Sequence, residues 1–137
     1  MGLILDSSIL IAGERRGETV KQVMQRVSAA QGDTECALSA ITIIELTHGI
    51  YRAKADADRV RRQAFVDELV RDMIVHSVST AIAQLAGRIE GEQAAKGISI
   101  AVEDLIIGAT ALYLGFEVLT LNVKHFLAIP GLNVVSL

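Results

Sequence analysis

The stretch that most constrains the fold is Leu3-Ile4-Leu5-Asp6-Ser7-Ser8-Ile9-Leu10-Ile11. Three consecutive apolar residues, then a carboxylate and two hydroxyls, read as a buried strand that turns directly into a helix. Asp6 stands at the turn. A strand without polar alternation is covered on both faces, the condition of a parallel sheet in an α/β fold. Ligands of such sheets lie in the crevice beyond the carboxyl ends of the strands. An aspartate ending the central strand would stand on the floor of that crevice. Asp is also a common helix N-cap, and this stretch alone leaves both roles open.

Apolar spacing and Gly or Pro punctuation give the remaining elements. Helices are expected over 7–14, 18–30, 39–53, 56–71, 80–96 and 102–114, and further strands over 35–38, 73–75, 116–121 and 133–135. The order predicts a three-layer α/β/α sandwich, one domain over 1–137, with a parallel sheet of four to five strands. Right-handed crossovers put helices on both faces. In the fourth helix the expected apolar stripe is Val60, Ala64, Phe65, Leu69 and Val70. The polar corner 52–58 predicts that helices three and four form a hairpin projecting from the body.

A chain of 137 residues is long enough for a core without staples. The single cysteine, Cys36, excludes an internal disulfide and reads as a buried small hydrophobe in a reducing compartment. The N-terminus has no basic-then-apolar leader. The longest oily run, 105–116, falls short of the ~20 residues a membrane span requires. The expectation is a cytoplasmic protein with no membrane attachment. An apolar fraction of 51% in a small domain implies surface that a homodimer or another partner would cover. The net charge of −3 argues against a general polyanion binder, yet the basic residues are segregated. Arg15 and Arg16 follow the first helix, and Arg52, Lys54, Arg59, Arg61 and Arg62 crowd one segment. They are phosphate contacts or a solvated helix face.

Four polar residues stand in apolar surroundings where the chain changes element: Asp6, Glu45, Asp104 and Asn122. Each has a local structural role available. Asp6 suits a cap, Thr42 to Glu45 fits a capping box, Asp104 complements a helix dipole, and Asn122 suits a turn. Carboxylates, however, are seldom buried unless paired or bound to a metal. No Lys or Arg falls between Arg26 and Arg52, or between Lys96 and Lys124. A hard cation, Mg²⁺ or Mn²⁺, would resolve the repulsion with oxygen ligands. Zinc is disfavoured by the lone cysteine and by histidines without ligand spacing. With no phosphate-cradling glycine loop, the set points to metal-assisted phosphodiester hydrolysis. Ser7 and Ser8 have no histidine nearby in sequence and suit hydrogen bonding at the turn.

These pieces carry a family likeness. Leu5-Asp6-Ser7-Ser8-Ile9-Leu10-Ile11, Ser39-Ala40-Ile41-Thr42-Ile43-Ile44-Glu45-Leu46 with Gly49, Asp104-Leu105-Ile106-Ile107-Gly108-Ala109-Thr110-Ala111-Leu112, and Leu119-Thr120-Leu121-Asn122 with His125-Phe126 occur in order along almost the whole chain. Together they resemble the PIN-domain family, and most closely the VapC toxins of prokaryotic toxin–antitoxin pairs. The resemblance implies a PIN-like sandwich and a divalent-metal endoribonuclease, with tRNA or rRNA among the family's substrates. It implies that Asp6 and Asp104 bind Mg²⁺ or Mn²⁺ and that Glu45 binds the ion or polarises water. Asn122 would complete the ion's surroundings, and Ser7 would orient Asp6 or a scissile phosphate. It also implies a cognate VapB-type antitoxin and a homodimer. Two departures stand out. Asn122 replaces the fourth acid of many members, which leaves a second ion in doubt. Ala101-Val102-Glu103 stands where a proline often precedes the third acid, and Glu103 either supplies charge to the site or is a solvated first-turn glutamate. The rival reading is a PIN-like domain that binds RNA or a protein without cutting.

Overall fold

The computed structural model describes all 137 residues. Gly2–Leu5 form β1, which is buried along its whole length. It lies at the centre of a five-stranded sheet with β2 (Glu35–Ser39), β3 (Ile74–His76), β4 (Glu117–Thr120) and β5 (Val134–Ser136), in the order β3-β2-β1-β4-β5. All four pairings are parallel, with Leu3 opposite Cys36 on one side and Glu117 on the other. The strand alternation sorts the core in two. Leu3, Leu5, Leu38 and Leu119 face one layer, and Ile4, Ala37 and Val118 face the other.

The first layer holds α1 (Ser7–Arg15), α2 (Val20–Gln31), α3 (Ala40–Arg52) and α4 (Asp56–Asp72), through Ile9, Val23, Leu46, Phe65 and their neighbours. The second holds α5 (Thr80–Ala94) and α6 (Val102–Leu114), through Ile82, Ile89, Leu105 and Ile107. Local chemistry sets the helix ends. Thr19 and Gln22 form a reciprocal capping box on α2, and Ser39 and Ser79 cap α3 and α5. Gly115, at φ 70° in the left-handed region, stops α6 as only glycine does cheaply. No helix is long and apolar enough to cross a membrane.

Three expectations change. The α3–α4 pair does not project: Phe65, Val66 and Leu69 are buried in the main core, whereas Val60, Ala64 and Val70 are exposed. Stripe positions on a charged helix are set by the partner surface, and here that surface lies over 65–69. Cys36 is half-buried, at the core's edge, its thiol pushed up by burial and then by Glu35. That protonated state disfavours reactivity. Thr42, read as the start of a capping box with Glu45, lies inside α3, because Ser39 already occupies the cap.

The topology decides where a site can form. From β1 the chain steps outward to β2 and β3, then returns across the sheet to add β4 on the opposite side of β1. The switch point lies between β1 and β4, where connections leave in opposite directions and open a crevice at the strand ends.

Candidate active site

Four separate elements deliver side chains to that crevice. Asp6 follows β1, Glu45 lies on α3, Glu103 and Asp104 open α6, and Asn122 follows β4. These five, with Ser7 and His125, line one open cleft of ≈ 420 Å³ that has no Lys or Arg in its lining. The cleft thus brings together all four residues singled out from sequence.

Asp6 is buried, at 4% exposure. It occupies the N-cap position of α1, yet its side chain makes no capping hydrogen bond. Instead its Oδ2 accepts from the hydroxyls of Ser8 and Thr120, each at 2.7 Å. Those hydroxyls in turn accept from the backbone N–H groups of Leu121 (3.1 Å) and Asn122 (2.9 Å). The end of β4 is therefore tied to the end of β1 through one carboxylate oxygen. Oδ1 has a single long contact, from the Ser7 hydroxyl at 3.5 Å. Hydrogen bonds of this kind fix a ligating carboxylate's orientation.

The other acids show the electrostatic state of the cleft. Asp104 is pushed above the usual carboxylate range by burial and by the Asp6 charge; His125 opposes the shift and Glu45 adds to it. His125 Nδ1 lies 3.6 Å from Asp104 Oδ2. Glu103 is also raised, by partial burial and then by the charge and hydrogen bond of Glu45, with Asp104 and Asp6 adding to it. Burial is the first cause of both shifts, and the neighbouring acids add to it, with His125 alone opposing it at Asp104.

Sequence reasoning missed Thr120 and His125 here and read Ser8 and Glu103 only in part. Thr120 reads as an ordinary strand former, and Ser8, rather than Ser7, makes the short bond to Asp6. Glu103 is exposed as expected, but it lines the cleft, where the neighbouring Glu45 adds to the upward shift that burial gives its carboxyl. His125 carried no signal beyond its place in the Asn122–Phe126 segment.

Comparison with known proteins follows this geometry. A sequence profile described as "PIN domain" matches residues 3–132. Ribonuclease VapC1 of Rickettsia felis is 32% identical over 136 residues, 99% of this chain and 96% of that protein. The chain belongs to the PIN-domain family, in its VapC branch. Another relative, the tRNA(fMet)-specific endonuclease VapC of Salmonella typhimurium, is 31% identical over 97 residues, 71% of each chain. The sandwich is similar to that in the crystal structure of VapBC2 from Rickettsia felis bound to a promoter DNA fragment. There the TM-score is 0.84 at 21% identity, covering 100% of this chain and 99% of that one. VapBC-1 from nontypeable Haemophilus influenzae gives a TM-score of 0.80 at 25% identity, covering 99% and 98%.

Does this PIN-domain cleft fit a divalent cation? No three His, Cys, Asp or Glu side chains converge closely enough to form an all-protein cage. Mg²⁺ does not ask for one, since it keeps several waters and takes one or two carboxylates directly. An acid-lined open cleft, with one oriented carboxylate oxygen left free on Asp6, suits a partly hydrated ion of that kind. The donors are all oxygen apart from His125, which favours Mg²⁺ or Mn²⁺ over zinc.

Proposed function

We propose that this chain is the toxin of a type II toxin–antitoxin pair, a divalent-metal-dependent endoribonuclease that hydrolyses RNA phosphodiester bonds. One observation carries the reading. Four acids from three parts of the chain converge at the topological switch point with no Lys or Arg in the lining and His125 the one basic side chain beside them, and two are held above the ordinary carboxylate range. A structural acid cluster would recruit a Lys or Arg; a metal cleft excludes them.

Asp6 and Asp104 hold Mg²⁺ or Mn²⁺, with Glu45 as a further ligand or as the group that orients water. When bound, the ion activates water and stabilises the leaving oxygen. The chain's own contribution is positional. Ser8 and Thr120 fix the Asp6 carboxylate, and His125 restrains Asp104. Asn122 presents a neutral amide where many members have an acid, and Glu103 adds a carboxylate to the same cleft. That additional acid weighs against the non-cutting reading.

The names of the relatives support RNA as substrate, tRNA or rRNA within it, and the toxin–antitoxin assemblies among the structural neighbours support a VapB-type antitoxin. A homodimer in the cytoplasm completes the proposal. Exposed Ile44 and Tyr51, two turns apart on α3, offer it apolar surface. Purified protein with Mg²⁺ or Mn²⁺ is expected to cleave structured RNA, to stop in EDTA, and to lose activity by at least about 100-fold on Asp6→Asn, the range for a lost metal or charge-stabilising group. Cleavage that survives either treatment would overturn the assignment.

A further inference from the structure

The acidic cleft does not end at Glu45. A second groove opens beside it between α1, α3 and α4, and Glu45 lines both. Along one wall run Ile11 and Arg15, one helical turn apart on α1. Along the other run Glu45, Gly49 and Arg52, on one face of α3. At 1.5 Å per residue, Arg52 lies roughly 10 Å along α3 from Glu45, and Arg15 roughly 13 Å along α1 from Asp6. The groove is acidic where it meets the cleft; further along, toward its far end, Arg15, Arg52 and Arg62 line it together with Glu14, whose carboxylate is engaged by Arg61 and Arg62.

Two features of that far end have no explanation inside the protein. Arg16, Arg26, Arg59, Arg61, Arg62, Arg71 and Arg88 all take part in ion pairs. Arg15 and Arg52 take part in none, and both line this groove. Arg62, by contrast, is engaged with the scaffold: it donates to the Gly49 carbonyl at 2.6 Å and faces Glu14. The second feature is Gly49 itself. Glycine is a poor residue for a helix interior, yet a Cβ added there would meet nothing within 4 Å. Internal packing does not demand it; what the missing side chain leaves is open space between Glu45 and Arg52.

We propose that Arg15 and Arg52 form a phosphate-binding subsite for the RNA strand. It holds a neighbouring phosphate of the strand whose scissile phosphate lies in the acidic cleft. The inference rests on the ribonuclease reading. A strand leaving the cleft past Glu45 enters this groove directly, through the space that Gly49 leaves for want of a side chain, and meets two guanidinium groups that no carboxylate occupies. Guanidinium forks suit phosphate oxygens. Contacts of this kind set register without reading sequence.

The test uses the full-length protein. In the cleavage-impaired Asp6→Asn background, binding of a single-stranded RNA oligonucleotide is measured against salt, with and without Arg15→Ala plus Arg52→Ala. Loss of one phosphate contact should lower affinity by roughly tenfold and reduce the slope of log K on log salt by about 0.7. Arg15→Lys plus Arg52→Lys keeps the charges and should keep most of the slope. In the otherwise unaltered enzyme, the double alanine variant should raise KM about tenfold on the oligonucleotide with kcat nearly unchanged. A dinucleotide with a single phosphate should be cleaved equally by both. Since neither arginine is in an ion pair, the melting temperature should not move. An unchanged slope and KM would overturn the subsite. So would unchanged RNA binding with loss of antitoxin binding, which would assign the arginines to a protein contact. A changed slope in a chain that cleaves no RNA would retain the subsite and remove the nuclease assignment instead.

Discussion

At the scale of single residues, Asp6 shows how a site differs from a cap. It has the position of an N-cap, but Ser8 and Thr120 claim its side chain. Thr120 carries the most weight, because its hydroxyl donates to Asp6 while accepting from the Asn122 N–H. Thr120→Val keeps the shape and removes both bonds. A buried group left unpaired costs about 1–3 kcal/mol, and loss of an outer hydrogen bond to a ligand weakens metal binding by about 10–100-fold. Urea denaturation and Mn²⁺ titration calorimetry should show both losses; a variant with wild-type Mn²⁺ affinity would remove Thr120 from the site. Asp6, Glu45, Asp104 and Asn122 were legible in the sequence because polar residues in apolar runs demand a reason. Thr120 was not, since a threonine in a strand has ordinary uses, and Ser8 was legible only as a hydrogen-bonding residue of the turn, not as the partner of Asp6. For Glu103 the sequence left two readings, charge for the site or a solvated glutamate, and the path of α6 makes both hold, since it is exposed and lines the cleft.

At the scale of elements, strand order and helix layers follow from apolar runs and their punctuation, whereas the docking of α4 does not. Its stripe at 65, 66 and 69 is short, and a polar contact supplements it. The Glu68 carboxylate accepts from the Val20 and Lys21 N–H groups at 3.2 and 3.3 Å, capping α2 from another helix. A sequence scan looks for caps within a few residues and cannot see one 48 positions away. Glu68→Ala should cost about 1–2 kcal/mol, the range for a lost cap with its dipole interaction, read as a lower urea midpoint with unchanged slope. Gly49→Ala should act in the opposite direction. With open space at its Cβ, it should raise stability by up to about 1 kcal/mol, the helix-propensity difference. A loss of stability would mean that the groove wall is tighter than its geometry indicates.

At the scale of the whole molecule, two acids of the cleft, Glu103 and Asp104, oppose folding once they are ionised. Asp104 and Glu103 have ordinary values of 3.8 and 4.5 and are raised in the folded protein. The folded state therefore binds more protons than the unfolded chain between the ordinary and the raised values. With that sign, stability falls as pH rises through this window and stays lower above it. Below the ordinary values the penalty is absent. The protein stripped of metal should thus lose stability from these two groups as pH rises through the window, and Asp104→Asn should flatten that loss and raise the melting temperature at neutral pH. Mn²⁺ reverses the comparison. An ion at ten times its Kd adds about 1.4 kcal/mol, or roughly 3–6 °C for a domain of this size, to the unaltered protein and much less to Asp104→Asn. Melting curves with EDTA and with Mn²⁺ should therefore cross: the variant is more stable without metal, the original with it. If Asp104→Asn is less stable in EDTA, the cleft is a structural acid cluster and its acids stabilise the fold directly. If the curves cross, the strain that the acids impose on the empty fold is the same interaction that binds the cation.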